Sequence, residues 1–177
     1  MSGQIILLNG PSSSGKSALA AALRSLIEDK RGERFAVVSI DDFLKMSADD
    51  VIYEDDVFEI SRELGEAVTA ALETAPGVIV DHVITSERIY SSLTEACGDA
   101  VLKKVLVTCA PEILRQREAA RGDRCAGSAE ASAQYLYPKD GYDLTVDSGR
   151  DSPEALAGRI LEILREADES PKSRPPA

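Results

Sequence analysis

Residues 10–17 read GPSSSGKS and match the phosphate-binding loop pattern G-x-x-x-x-G-K-[ST] at every fixed position. Before them, the apolar run 4–9 (QIILLN) predicts a buried strand. After them, residues 16–29 carry apolar side chains at helical spacing, which predicts an amphipathic helix. A strand, a glycine-rich turn and a helix in this order predict a P-loop nucleotide-binding domain.

In a loop of this kind, consecutive backbone N–H groups and the N-terminus of the following helix surround phosphate oxygens. Lys16 is expected to reach the β- and γ-phosphates, and the Ser17 hydroxyl is expected to ligate Mg²⁺. The glycines allow dihedral angles and a close approach that a side chain would block. We therefore predict that ATP and Mg²⁺ are cofactors and that the loop binds them through Gly10, Pro11, Ser12, Ser13, Ser14, Gly15, Lys16 and Ser17.

The rest of the chain alternates between predicted strands and helices. Strands are predicted at 35–40, 78–81, 101–109 and 142–146, and helices at 59–74, at 86–96, from 111 and from 152. Apolar strands that are each followed by a helix are typical of a parallel sheet covered on both faces. We predict one α/β domain over residues 1–167. The tail at 168–177 is rich in proline and charge, which predicts disorder.

Composition argues against several classes of function. The 177 residues include 20 basic and 31 acidic side chains, a net charge of −11 that disfavours nucleic acid and anionic membranes as partners. A single histidine disfavours Ser-His-Asp and multi-histidine metal chemistry. Cys97, Cys109 and Cys125 form no C-x-x-C pair, which fits a reducing cytoplasm. With neither a signal peptide nor an apolar run of membrane-spanning length, a cytoplasmic location is expected.

Aspartates follow the predicted second and third strands, at the edge of the sheet where the P-loop lies. We predict that Asp41 is the general base that accepts the proton of an attacking hydroxyl, since Asp42 would point the other way along an extended chain. Capping of the following helical turn is the alternative role for Asp41. Asp81 is expected to hold Mg²⁺, directly or through water, or else to hydrogen-bond the substrate. His82 is either a substrate contact or an ordinary residue at a strand end.

Three arginines, Arg117, Arg121 and Arg124, lie at positions i, i+4 and i+7 and would share one helical face. We predict that they belong to a lid over about residues 115–135 and stabilise the transferring phosphoryl group together with Lys16. Arg117 and Arg121 are also expected to contact the nucleotide. Pairing with neighbouring carboxylates such as Glu118 on a solvated face is the alternative.

Several of these segments resemble the chloramphenicol phosphotransferase-like family of small P-loop kinases. They are NGPSSSGKS at 9–17, VIVD at 78–81, REAARGDRCAG at 117–127 and YDLTVD at 142–147. The third is considerably more specific than the P-loop. The resemblance implies a three-layer α/β/α fold with a five-stranded parallel sheet in the order 2-3-1-4-5. It also implies ATP- and Mg²⁺-dependent phosphorylation of a hydroxyl on a small molecule, with the strand-two aspartate, here Asp41, as the base.

The function predicted from these observations is O-phosphorylation of an antibiotic-like or natural-product small molecule. Two alternatives stay open: a nucleoside, nucleotide or sugar kinase of the same fold, and a nucleotide-binding regulatory protein without turnover. The segment 47–59 carries six carboxylates, which either form a solvated acidic face or contact a cationic or polyhydroxylated acceptor. The turn at 148–151 is expected to contact the adenine.

Overall fold

A computed structural model describes residues 3–44, 54–121 and 127–169 of the chain. The strands in these segments are β1 (Gln4–Asn9), β2 (Ala36–Ser39), β3 (Gly77–His82), β4 (Val101–Thr108) and β5 (Leu144–Asp147). The helices are α1 (Lys16–Arg31), α2 (Ile40–Leu44), α3 (Glu54–Leu72), α4 (Glu87–Cys97), α5 (Pro111–Arg121), α6 (Ser128–Tyr135) and α7 (Pro153–Glu169).

The five strands form one parallel sheet in the order β2-β3-β1-β4-β5, which confirms the predicted fold class. Successive side chains of a strand point to opposite faces, and β1 shows this directly. Ile6 and Leu8 pack in the core beneath α1 and α7, whereas Ile5 and Leu7 pack in the core beneath α3 and α4. Burial on both faces explains why β1 is apolar throughout.

Element boundaries differ from the predictions mainly at the ends of strands and helices. The second strand stops at Ser39, because Ile40 begins the short helix α2. Helix α3 begins five residues earlier than predicted, and α6 was not predicted as a separate helix. Helix α7 continues to Glu169, two residues into the segment for which disorder was predicted, and residues 170–177 lie outside the described part. None of the helices in the described segments combines the length and apolar character that a membrane span requires.

Candidate active site

The phosphate loop connects β1 to α1 at the carboxyl edge of the sheet, and its backbone is tightly constrained. Gly15 has a φ of +88°, a left-handed conformation that suits glycine. Ser13, with a φ of +62°, adopts the same region although it carries a side chain. At Gly10, a Cβ would overlap the carbonyl oxygen of Val107, so the loop can approach β4 only through a glycine.

Buried polar groups in the loop fit a phosphate ligand. Within the described residues, the hydroxyls of Ser13 and Ser14 are buried without a hydrogen-bond partner. Such groups are uncommon in folded proteins because they lose their hydration without replacement, and in a phosphate loop they are available to a phosphate oxygen. Lys16 is only 5% exposed and donates to the Pro11 carbonyl at 2.8 Å. The loop therefore presents hydroxyl donors and a buried cation at one place.

Two predicted metal ligands lie in direct contact. The Ser17 hydroxyl donates to the Asp81 carboxylate over 2.7 Å, and the Lys16 ammonium lies 3.9 Å from the same carboxylate. Hydroxyl and carboxylate oxygens are the donors that Mg²⁺ prefers. Across the described segments, no group of three or more His, Cys, Asp and Glu side chains could hold a metal ion. A Mg²⁺ ion at Ser17 and Asp81 would therefore complete its coordination with phosphate oxygens and water.

The buried surroundings of Asp81 destabilise its charged form. Burial raises the pKa of its carboxyl, and the nearby Asp41 raises it further, while Lys16 and the hydroxyls of Ser17 and Ser39 lower it in part. A desolvated carboxylate of this kind gains when a cation replaces the lost water. The environment of Asp81 thus favours a bound cation.

We expect Asp81→Asn to gain stability relative to the wild type as the pH rises from about 4, where the carboxyl begins to ionise in the unfolded chain. A raised pKa means that the folded state binds the proton more tightly than the unfolded state. The wild type therefore loses stability as the pH rises through the raised pKa, and the asparagine variant does not. Urea unfolding of both proteins between about pH 4 and about pH 8 measures the difference. A difference in stability that is constant with pH, or that changes in the opposite direction, contradicts the raised pKa of Asp81. The exposed Asp55→Asn variant serves as the control.

Many of the predicted site residues line one cleft of about 400 Å³ beside the P-loop, whereas Gly10, Pro11 and Ser14 do not. Its lining includes Lys16, Ser17, Asp41, Asp81, Arg117 and Arg121. Arg124 lies outside the described residues. The cleft thus brings together basic and acidic groups that are far apart in the sequence.

Asp41 enters this cleft from helix α2, so the predicted extended chain at this point was wrong. Asp41 and Asp42 occupy the first turn of the helix, where carboxylates interact favourably with the helix dipole. Asp41 lines the cleft, whereas Asp42 is exposed, so Asp41 remains the predicted base of the two. The Arg121 guanidinium lies 3.7 Å from the Asp41 carboxylate and joins α5 to α2 across the cleft.

Two hydrogen bonds to Ser148, in the turn after β5, fix the position of the Arg117 guanidinium beside the P-loop. Its guanidinium donates to the Ser148 hydroxyl at 3.1 Å and to the Ser148 carbonyl at 2.8 Å. It also lies 3.3 Å from the position that a Cβ on Gly15 would occupy. The turn at 148–151, where adenine contacts were predicted, is therefore adjacent to both Arg117 and the phosphate loop.

Arg115 and Glu118, the neighbours of Arg117, do not line this cleft. Arg115 pairs with the exposed carboxylates of Glu112 and Glu130 and lines a separate, mainly apolar cavity of about 230 Å³ between α5 and α6. Glu118 is buried and accepts hydrogen bonds from residues 127–129 at the start of α6. The predicted alternative, in which Glu118 pairs with the arginines on a solvated face, is therefore wrong for this residue.

His82 is fully buried at the end of β3 and does not line the cleft as a substrate contact. The Ser61 hydroxyl donates to the Val57 carbonyl at 2.6 Å and lies 3.1 Å from His82 Nε2. With the Ser61 proton directed to Val57, the Ser61 oxygen is placed to accept a hydrogen bond from an Nε2–H group of His82. Burial lowers the pKa of His82 to about 4, so the ring is neutral at physiological pH.

His82 is expected to make the folded protein sensitive to mild acid. Its pKa is lowered from 6.5 to about 4 in the folded state, so the unfolded chain binds the proton first. The contribution of neutral His82 to the free energy of unfolding is fully present above about pH 6.5. It falls by about 3 kcal/mol as the pH drops to about 4. Since His82 is the only histidine of the chain, its single imidazole NMR signal reports the pKa directly. A midpoint at 6 or above would exclude this account, and His82→Gln should remove its share of the acid sensitivity.

A five-stranded sheet in this order, with the phosphate loop, its lysine and the cleft-lining aspartates Asp41 and Asp81 at the carboxyl edge, defines a P-loop kinase. The comparisons with known proteins agree. The chain belongs to the chloramphenicol phosphotransferase-like family, which it matches over residues 3–165. Family membership makes it an ATP-dependent kinase with a small-molecule substrate. A comparison with curated protein sequences gives no match.

Solved structures with the same fold include several kinases. The APS kinase of Mycobacterium tuberculosis in complex with AMPPNP and APS has a TM-score of 0.74 and 19% identity, over 93% of this chain and 98% of that one. Shikimate kinase from Acinetobacter baumannii in complex with shikimate has a TM-score of 0.65 and 16% identity, over 95% and 96%. A gluconokinase from Sinorhizobium meliloti has a TM-score of 0.65 and 19% identity, over 93% and 97%. At these identities the similarity establishes the fold.

Proposed function

We propose that the protein transfers the γ-phosphate of ATP to a hydroxyl group of an antibiotic-like or natural-product small molecule. The observation that carries this proposal is the cleft in which Asp41 lies with Lys16, Arg121 and the Ser17–Asp81 pair. These are the groups that phosphoryl transfer to an alcohol requires: a proton acceptor, positive charge around the phosphates and oxygen ligands for a metal.

In the proposed reaction, Asp41 accepts the proton of the acceptor hydroxyl as its oxygen attacks the γ-phosphorus. A new P–O bond forms to the acceptor, the bond between the γ-phosphorus and the β,γ-bridging oxygen breaks, and ADP leaves with the electron pair. Lys16, Arg117 and Arg121 stabilise the charge that spreads over the phosphate oxygens in the transition state. Arg124 would add to this charge from the segment outside the described residues.

Ser17 and Asp81 would hold Mg²⁺ in the proposed complex. The ion supplies positive charge that neutralises the phosphate oxygens. Asp81 also accepts the hydrogen bond that orients the Ser17 hydroxyl, and its carboxylate lies 3.9 Å from the Lys16 ammonium. These contacts fix the relative positions of the three side chains.

Ion pairs beside α3 bear on the class of acceptor. Arg62 pairs with Glu59 at 2.9 Å, and Arg88 pairs with Asp55 at 2.8 Å. Neither arginine lines the cleft, so neither is placed to bind the phosphate of a nucleotide acceptor there, which favours an acceptor recognised through hydroxyl groups. The exposed side chains of Asp55, Asp56 and Glu59 favour a solvated acidic face over a surface for a cationic acceptor. Residues 47–53 of the acidic segment 47–59 lie outside the described part.

A panel of hydroxyl compounds tests the proposed function. Antibiotics, nucleosides, nucleoside monophosphates, sugars and amino sugars are incubated with ATP and Mg²⁺, and each product is examined by mass spectrometry. We expect a phosphorylated product from a neutral natural-product or antibiotic alcohol. Preferential phosphorylation of a nucleoside, nucleotide or sugar would favour the alternative kinase. Nucleotide binding without any product across the panel would favour the regulatory protein.

A further inference from the structure

Glu118 connects two helices that both contact the P-loop. It lies on α5, is 6% exposed, and accepts hydrogen bonds from the Gly127 N–H at 2.9 Å, the Ser128 hydroxyl at 2.6 Å and the Ala129 N–H at 2.8 Å. The first N–H groups of a helix have no partner within the helix, and a carboxylate there also interacts favourably with the helix dipole. Because Gly127 offers no side-chain cap of its own, α6 is capped from α5.

The capped helix reaches the phosphate loop one turn further along. The Ser132 hydroxyl accepts a hydrogen bond from the Ser12 backbone N–H at 3.0 Å and donates to the Ala129 carbonyl at 2.9 Å. Ala129 is itself one of the donors to Glu118. The position of the α6 N-terminus therefore determines where Ser132 meets the first half of the P-loop.

Helix α5 reaches the second half of the same loop. Arg117 donates to Ser148, and the Ser148 hydroxyl donates to the Ser14 carbonyl at 2.5 Å. The two helices therefore contact the P-loop at Ser12 and, through Ser148, at Ser14. Glu118 follows Arg117 in the chain. It therefore links the contact of α6 with Ser12 to the contact of α5, through Ser148, with Ser14.

We propose that Glu118 is a positioning residue for the nucleotide site. By fixing α6 against α5, it holds the two contacts on the P-loop, and Arg117 with them, at the spacing that a bound triphosphate requires. This role rests on the proposed function only in that the ligand is a nucleoside triphosphate. Its three hydrogen bonds, the one from Ser128 first, hold the pKa of Glu118 below its ordinary value, so the group is a carboxylate at neutral pH.

Binding of Mg²⁺·AMPPNP, measured by calorimetry on the full chain, tests the proposal. Glu118→Gln replaces one acceptor oxygen by an amide NH₂ that faces the Gly127 N–H, and we expect the affinity to fall about tenfold, the equivalent of one charge-assisted hydrogen bond. Ser132→Ala should lower it about threefold. Because both residues act through α6, the double variant should lose less than the product of the two effects. Glu112→Gln, which removes an exposed carboxylate from the same helix, should bind as the wild type does.

A purely structural role would give a different pattern. Glu118→Gln would then melt at a lower temperature but bind AMPPNP with wild-type affinity once folded, and that result overturns the proposal, as does unchanged affinity in Ser132→Ala. Should Glu118→Gln fail to fold, Ser128→Ala removes one of the three donors and should weaken binding about threefold, with unchanged affinity again the contrary result. If the protein phosphorylated no acceptor, the proposed function would be wrong. The affinities for Mg²⁺·AMPPNP would still test the role of Glu118.

Discussion

Replacing Asp41 by alanine is expected to lower the rate of phosphoryl transfer about 10³-fold while ATP affinity stays within about twofold of the wild-type value. Asp41 lines the cleft but is assigned to the acceptor proton rather than to a phosphate oxygen. Its loss therefore removes general base catalysis and leaves the P-loop intact. The rate is measured with the acceptor found in the panel, and the affinity is measured by calorimetry with AMPPNP.

Asp42→Ala is the matched control for this prediction. Asp42 lies in the same helical turn and carries the same charge, but its side chain is exposed to solvent. The control should transfer phosphate at the wild-type rate. If Asp41→Ala turned over at a wild-type rate, or if both variants lost activity equally, another group would have to be the base.

Lys16→Ala is expected to reduce transfer about 10²- to 10³-fold and, unlike the Asp41 variant, to weaken ATP binding as well. The Lys16 ammonium is buried between the Pro11 carbonyl and Asp81, and it is predicted to reach the β- and γ-phosphates in both the ground state and the transition state. Removing it also leaves the buried Asp81 carboxylate without its nearest cation. Initial rates over a range of ATP concentrations separate the loss in kcat from the rise in KM.

Lys30→Ala provides the control for the loss of a lysine, because Lys30 lies exposed in the last turn of the same helix. It should behave as the wild type does. Unchanged ATP-dependent turnover in Lys16→Ala would contradict the assigned role of the P-loop. The two predictions together distinguish a group that acts on the acceptor from one that acts on the nucleotide.

Features encoded by adjacent residues could be predicted from the sequence. The run Gln4–Asn9 is apolar because both of its faces are buried, and its predicted bounds agree with the strand in the structure. The P-loop was recognisable because its chemistry depends on eight consecutive residues. Asp41 and Asp81 could be placed near it because the carboxyl ends of parallel strands meet at one edge of the sheet, and Arg117 could be placed there from its helical spacing with Arg121 and Arg124.

Features that depend on distant partners could not be predicted in this way. Helix α2 has only five residues, too few for a helical pattern of apolar residues to be recognised in the sequence. The buried Ile40 anchors this helix in the core. Helix α6 carries no cap of its own, because its capping carboxylate, Glu118, belongs to another helix. Asn9 donates to the Tyr137 carbonyl and the Tyr142 hydroxyl, more than 120 residues away in the chain.

The fate of labelled oxygen tests most directly the claim that the protein transfers phosphate from ATP to a hydroxyl. The enzyme is incubated with the acceptor and with ATP whose three non-bridging γ-oxygens are ¹⁸O. We predict that mass spectrometry finds all three heavy oxygens in the phosphorylated acceptor and the original hydroxyl oxygen as the bridge to phosphorus. Heavy oxygen found only in inorganic phosphate, with no labelled acceptor, would contradict the account.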